Sequence, residues 1–226
     1  MTEDVTNIYQ KEARAMRLTD IKRTYQAVYS LGSNCYPAQR LERYGLRPYS
    51  GVIDWMYSNS IPGLCLLLRN RFAGFMYSDH IEVDGTEFNG HNYSLLDRVY
   101  GVQSVHDFLV ADQLEGIVRK YPEFQQTLQR RIARFLRNIE QAEWIFFFRL
   151  HASHEEAAAL EAALASIVRH QFRLLVVNPR ADRRIVELDW PLAHTCAVEA
   201  PIAWDAESDQ AWNELFAGIR YEALPG

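Results

Sequence analysis

Apolar and polar positions alternate along this chain in two distinct rhythms. Tyr25 to Leu31 is a β-prone run that stops at Gly32, and Ser33 and Asn34 lead into helix-like sequence reaching Tyr44. That order predicts a strand, a tight turn and a helix. Gly45 and Pro48 end the helix, and an irregular segment runs on to Ser60, a cap residue with Pro62 in the first turn of a buried helix over Pro62 to Phe72. Between Phe75 and Phe108 the glycines Gly85, Gly90 and Gly101 separate short apolar or aromatic runs, the pattern of small strands and loops.

Beyond Tyr121-Pro122 the rhythm becomes helical, with Phe124, Leu128, Ile132, Phe135, Leu136 and Ile139 on one face. Trp144 to Phe148 reads as a fully apolar strand. Ser153 and Glu156 then form a capping box that opens an alanine-rich helix to about Val168, and Phe172 to Val177 is a second apolar strand. Strand, capped helix and strand make a βαβ unit, whose strands are parallel and covered on both faces. Further strands at Ile185 to Leu188 and Cys196 to Val198, and a helix near Gln210 to Ile219, complete the reading. The expected fold class is α/β, a mixed and largely parallel sheet flanked by helices in a single domain over residues 25–226. A polar N-terminal helical arm over residues 1–24 precedes it, and no repeat, low-complexity tract or linker interrupts it.

Composition narrows the classes. The 226 residues are 48% hydrophobic and 12% aromatic, enough to bury a sizeable core, which excludes disordered and fibrous classes. A net charge of −5 argues against a nucleic-acid partner, because phosphate contacts need clustered positive charge. Three cysteines without CxxC spacing suggest neither a disulfide framework nor a zinc site. The first residues lack a signal-peptide core, and the apolar stretches Ile61 to Leu68 and Trp144 to Phe148 are shorter than the roughly 18 residues that span a bilayer. A soluble, cytoplasmic chain is expected, with no membrane partner and no cofactor; GxGxxG and GxxxxGK[ST] loops are absent.

Among residues that carry chemistry, Cys35 stands out by position. It follows a strand and the Gly32-Ser33-Asn34 turn at the start of a helix, where free N–H groups favour a thiolate and hold an oxyanion. Ser33, Asn34 and the amides from Gly32 onward are the candidate donors; the plain alternative is an inert buried cysteine. Arg130, Arg134 and Arg137 share one helical face, with Arg131 nearby, and either grip an anion or form a solvated face. Arg47 is a second candidate for an anionic substrate. His151 and His154 have no acidic or cysteine partner at ligand spacing, so no metal is expected.

The stretch Ser30-Leu31-Gly32-Ser33-Asn34-Cys35, continued through Ala38 and Leu41 to Leu46-Arg47-Pro48-Tyr49-Ser50-Gly51-Val52-Ile53-Asp54-Trp55, resembles the signature of bacterial proteins classed as papain-like cysteine peptidases, a family of undefined function. The similarity continues at His106-Asp107-Phe108, at Arg130 to Phe135 and at Phe148-Arg149, covering roughly Tyr25 to Val177. Ile53 departs from it, where such proteins commonly carry an aromatic residue. The resemblance implies a nucleophile at Cys35, a general base at His106 and a further site residue at Asp54. It also implies a papain-like α+β fold built on an antiparallel sheet, against the parallel strands that periodicity predicts.

The residue that would orient the imidazole is open between Asp54, Asn178 and Asp189, with Asp54 first; Asp107 points away if its stretch is extended. His91 is the alternative base. Two functions follow. One is a cysteine-nucleophile enzyme, peptidase, amidase or acyltransferase, acting through a thioester on a peptide, amide or acyl substrate. The other is a non-catalytic or different-chemistry α/β protein holding an anionic small molecule, phosphate-bearing or a nucleotide sugar, at the Gly32–Cys35 turn. A third class, an interaction protein, would use an aromatic surface.

Overall fold

The computed structural model describes residues 14–224, so residues 1–13 of the expected arm lie outside the described residues. Within residues 14–24 a 3-10 turn, Leu18–Ile21, buries Ile21 against the core. In chain order there follow β1 (Thr24–Tyr25), β2 (Ala27–Ser30), α1 (Tyr36–Arg43), β3 (Met56–Tyr57), α2 (Ile61–Arg69), β4 (Ile81–Glu87), β5 (Asn92–Asp97) and β6 (Val102–Ser104). The second half holds α3 (Gln113–Gln141), β7 (Trp144–Leu150), α4 (His154–Ala165), β8 (Gln171–Pro179), β9 (Val186–Leu188), β10 (Thr195–Ala200), α5 (Ala206–Phe216) and β11 (Arg220–Tyr221).

Strands β2, β7, β8 and β10 lie side by side and run parallel, and β9 closes one edge antiparallel to β10. This is the mixed, largely parallel sheet that the βαβ pattern predicts. Successive residues of β7 point to opposite faces: Ile145 and Phe147 join one core with α2, α3 and α4, while Phe146 and Phe148 join another with α1 and α5. Because both faces are covered, the strands read as continuous apolar runs. A separate antiparallel sheet, ordered β3-β6-β5-β4, sits beside this layer, and β1 pairs with β11.

Local signals account for the helix starts. The Ser60 hydroxyl accepts the Gly63 N–H at the head of α2, and Ser153 and Glu156 close the capping box of α4. One boundary differs from expectation. Helix α3 begins at Gln113, well before Pro122, and carries that proline inside it. Its first turns leave Leu114 and Val118 exposed, so no buried stripe announces them. The carbonyl that Pro122 cannot pair lies in this exposed stretch, where solvent has access to it.

Candidate active site

Cys35 sits where β2 hands over to α1. The intervening turn is left-handed at two consecutive residues, Gly32 (φ 73°) and Ser33 (φ 83°). The first is necessarily glycine, since a Cβ there would lie 2.5 Å from the Ser58 hydroxyl. Ser58, just after β3, fastens the turn: its N–H donates to the Ser33 carbonyl at 3.0 Å, and its Oγ accepts the Ser33 N–H at 3.1 Å. Because β3 pairs with β6, this fastening brings the residues after β6 to the turn.

His106 lies two residues past β6, in a segment held by the Tyr93 N–H to Phe108 carbonyl bond and the Val110 N–H to His91 carbonyl bond. Its Nε2 stands 3.1 Å from Cys35 Sγ, a contact spanning 71 positions of the chain. Cys35 is half-buried and His106 is exposed. Burial pushes the Cys35 thiol up to about 11, and the nearby Asp54 charge adds to the rise against a small pull from its own amide. Burial also lowers His106 below its ordinary 6.5, opposed by the charge of Asp107. Both groups are therefore neutral at neutral pH, a thiol facing an imidazole.

Asp54, the first-ranked orienting residue, does not reach the imidazole. It is 2% exposed, and its Oδ2 accepts the Arg47 Nε–H and the Gly51 N–H, each at 2.7 Å. Burial raises its pKa, while Arg47 and the Gly51 amide pull it back. Asn178 is spent on Ala152, donating to its carbonyl and accepting its N–H, and Asp189 pairs with Arg17. Asp107 accepts the Ser104 hydroxyl. Among the described residues no carboxylate bonds the His106 ring. Two aromatics position it instead: Phe88 stacks on it at 4.6 Å between centroids, and Trp55 meets it edge-on at 5.9 Å.

The donor set also narrows. The Gly32 amide is taken by the Ser30 hydroxyl, the Ser33 amide by Ser58, and the Tyr36 amide by Asn34 Oδ1 at 2.9 Å. Of the expected oxyanion amides, those of Gly32 and Ser33 are thus spent inward, that of Cys35 faces only its own sulfur, and that of Asn34 has no protein acceptor among the described residues. A phosphate cradle over the same turn would have only this pair to offer.

The arginines divide by role. Arg47 binds Asp54 and the Ser50 hydroxyl and lies 5.0 Å over the Trp55 ring, so it anchors the loop after α1. Arg134 donates to the Ser50 carbonyl at 2.7 Å and covers Tyr49, which ties α3 to that loop. Neither presents a free guanidinium beside Cys35. Half-buried Arg131 lines a cavity of about 200 Å³ with Asp107 and Lys120. His91, the alternative base, is exposed in the β4–β5 turn, and no bond links it to Cys35.

No role is assigned from sequence to Phe88, Ser58 or Arg149, the last being named only within the family resemblance. Two signals pointed to the first and last. Asn89-Gly90 is a hairpin-turn pair, which puts Phe88 at a hairpin tip, and Arg149 is the one charge in the apolar run of β7. Arg149 donates to the Leu31 carbonyl, the Ser58 carbonyl and the Ser58 hydroxyl, each at 2.8 Å, and so braces the turn from below.

All three cysteines are free thiols, and among the described residues no group of His, Cys, Asp and Glu is arranged to hold a metal. No helix of the described residues is long and apolar enough to cross a membrane.

Residues 26–181 match the family model described as "Putative papain-like cysteine peptidase". The chain is also 28% identical over 136 residues to an uncharacterized protein of Acanthamoeba polyphaga mimivirus, a match covering 53% of this chain and 59% of that protein. No solved structure matches.

Proposed function

The chain belongs to the family of that description, and on this premise we propose that it is a cysteine-nucleophile enzyme acting on a peptide, amide or other acyl substrate through a thioester at Cys35. The supporting observation is the 3.1 Å approach of Cys35 Sγ to His106 Nε2, within hydrogen-bond reach for proton transfer.

Because both groups rest neutral, the thiol is activated at the moment of attack rather than stored as a thiolate. Sγ bonds to the substrate carbonyl carbon as its proton passes to Nε2, and the carbonyl electron pair moves onto oxygen. The amides of Asn34 and Cys35 receive that oxyanion. Collapse breaks the bond to the leaving group, which takes the proton from the imidazolium, and the acyl group stays on sulfur. Water or another nucleophile, deprotonated by the same imidazole, releases it. Phe88 and Trp55 hold the ring through both transfers, the task a carboxylate performs elsewhere.

Alkylation by iodoacetamide, followed against pH, tests this. Wild type should label at Cys35 near neutral pH and slow below pH 6.5 as His106 gains a proton. His106→Ala should label about a hundredfold more slowly and lose that acid limb. Equal, slow labelling of both proteins would overturn the reading.

A further inference from the structure

Beside the nucleophile turn the parallel sheet opens into a second site. After β2 the chain enters α1 on one face of the sheet, whereas after β7, the adjacent strand, it enters α4 on the other. The carboxyl ends of these neighbours therefore diverge, and such a point in an open α/β sheet is where ligands are held. A cavity of about 600 Å³ occupies it, lined by Ser33, Asn59, Arg149, His151, Glu156 and Asn178, among others. Two of the eight positive-φ non-glycine residues among the described residues, Ser33 (φ 83°) and His151 (φ 60°), line it.

The charges of the cavity are unusual. Arg149 is 2% exposed, and its acceptors are all neutral: the Leu31, Ser58 and His151 carbonyls and the Ser58 hydroxyl. Those four bonds leave one of its five N–H donors unspent. No carboxylate pairs with it among the described residues, and a buried cation without a counter-charge is costly. Glu156 also lines the cavity. Its charge acts on Arg149 without forming an ion pair, and its Oε2 accepts the Ser153 N–H at 2.8 Å. Its Oε1 has no partner among the described residues. Partial desolvation and the Arg149 charge lower the pKa of the exposed His151 ring, so Arg149 and Glu156 are the permanent charges of the walls.

We propose that this cavity binds a small zwitterion of the α-amino-acid class, with its carboxylate at Arg149 and its ammonium at Glu156. Glu156 and Arg149 feel each other only at a distance, and such a ligand places an opposite charge in contact with each. A phosphate dianion would satisfy Arg149 but face Glu156. The site rests on the sheet geometry and does not depend on the reaction assigned to Cys35.

Calorimetric titration of the full chain with single L-amino acids, acetate, methylammonium and inorganic phosphate tests it. At least one amino acid should bind saturably, about tenfold or more tighter than acetate or methylammonium. Glu156→Gln keeps the helix cap, since a glutamine oxygen also accepts the Ser153 N–H. It should weaken the amino acid about tenfold and leave acetate equal or tighter, since the carboxylate that opposes an anion is removed. Arg149→Gln should abolish binding of both; if circular dichroism shows that this variant fails to fold, Glu156→Gln alone decides. No saturable amino-acid binding, tighter binding of phosphate, or amino-acid affinity untouched by Glu156→Gln would overturn the proposal. Each readout is independent of Cys35 labelling, so either idea can fail without the other.

Discussion

Ser33 and Ser58 exchange two hydrogen bonds, the Ser58 N–H to the Ser33 carbonyl and the Ser33 N–H to the Ser58 hydroxyl. The pair joins the parallel sheet, which carries Cys35, to the antiparallel sheet, which carries His106. Gly32 leaves no space for anything larger between them, and the Ser58 hydroxyl cannot retreat because Leu31, Ser33 and Arg149 all hold it. Gly32→Ala should therefore cost about 1–3 kcal/mol from the positive φ alone. Denaturant unfolding would register that loss, and iodoacetamide labelling of the folded fraction should slow as Sγ moves off Nε2. A variant as stable and as reactive as wild type would show that the turn tolerates a Cβ.

Asp54 works against thiolate formation, since its charge adds to burial in raising the Cys35 pKa. Asp54→Asn should move the alkaline, thiolate limb of the labelling profile to lower pH, though only in part, because burial remains the larger cause. Stability should fall by about 3 kcal/mol, the scale of breaking a buried ion pair, since Arg47 would lose its buried charged partner and keep only the exposed Glu42. The two readouts thus move in opposite directions. An unmoved or upward-shifted labelling midpoint would contradict this electrostatic role.

The sheet was legible in the sequence because strands buried on both faces are continuous apolar runs, and the capping box of Ser153 and Glu156 marked the crossover helix. Cys35 was legible for a related reason, the Gly32 break between strand and helix. The surroundings of His106 were not. An exposed phenylalanine at a hairpin tip carries no periodic signal, and its partner lies across a second sheet. Hydrogen-bond accounting was invisible too: only the folded turn shows that Gly32 and Ser33 spend their amides inward, and that Asp54 answers Arg47 rather than the imidazole.

Phe88 is 40% exposed, so it contributes little to the core, yet it stacks on His106. Removing that stack should forfeit about 0.5–1.5 kcal/mol of ring positioning. Phe88→Ala should thus slow labelling by roughly twofold to tenfold, and Phe88→Tyr should restore it. Unfolding midpoints of all three proteins should nearly coincide. A labelling rate unchanged in Phe88→Ala would leave Trp55 as the sole support of the ring.

Protons should distinguish the folded from the unfolded chain through the same imidazole. Burial lowers His106 and His151 below 6.5 in the folded protein, so the unfolded chain binds more protons as the solution is acidified. Stability then rises with pH across this window: it is fully present above about 6.5, the unfolded value, and is lost as pH falls toward the folded values. The lowered carboxylates Asp112, Glu155, Asp182 and Asp205 act elsewhere, since their contribution is present above about 4 and lost only at lower pH. Asp54, raised by burial, gives a slope of opposite sign, so the wild-type curve alone is a sum. The difference between wild type and His106→Ala isolates the one group. Between pH 7.5 and 5.5 the variant should lose less stability than wild type, read from urea midpoints at the two pH values. An equal or greater loss in the variant would mean that His106 keeps its proton as readily in the fold as out of it, and that the neutral thiol–imidazole pair is wrong.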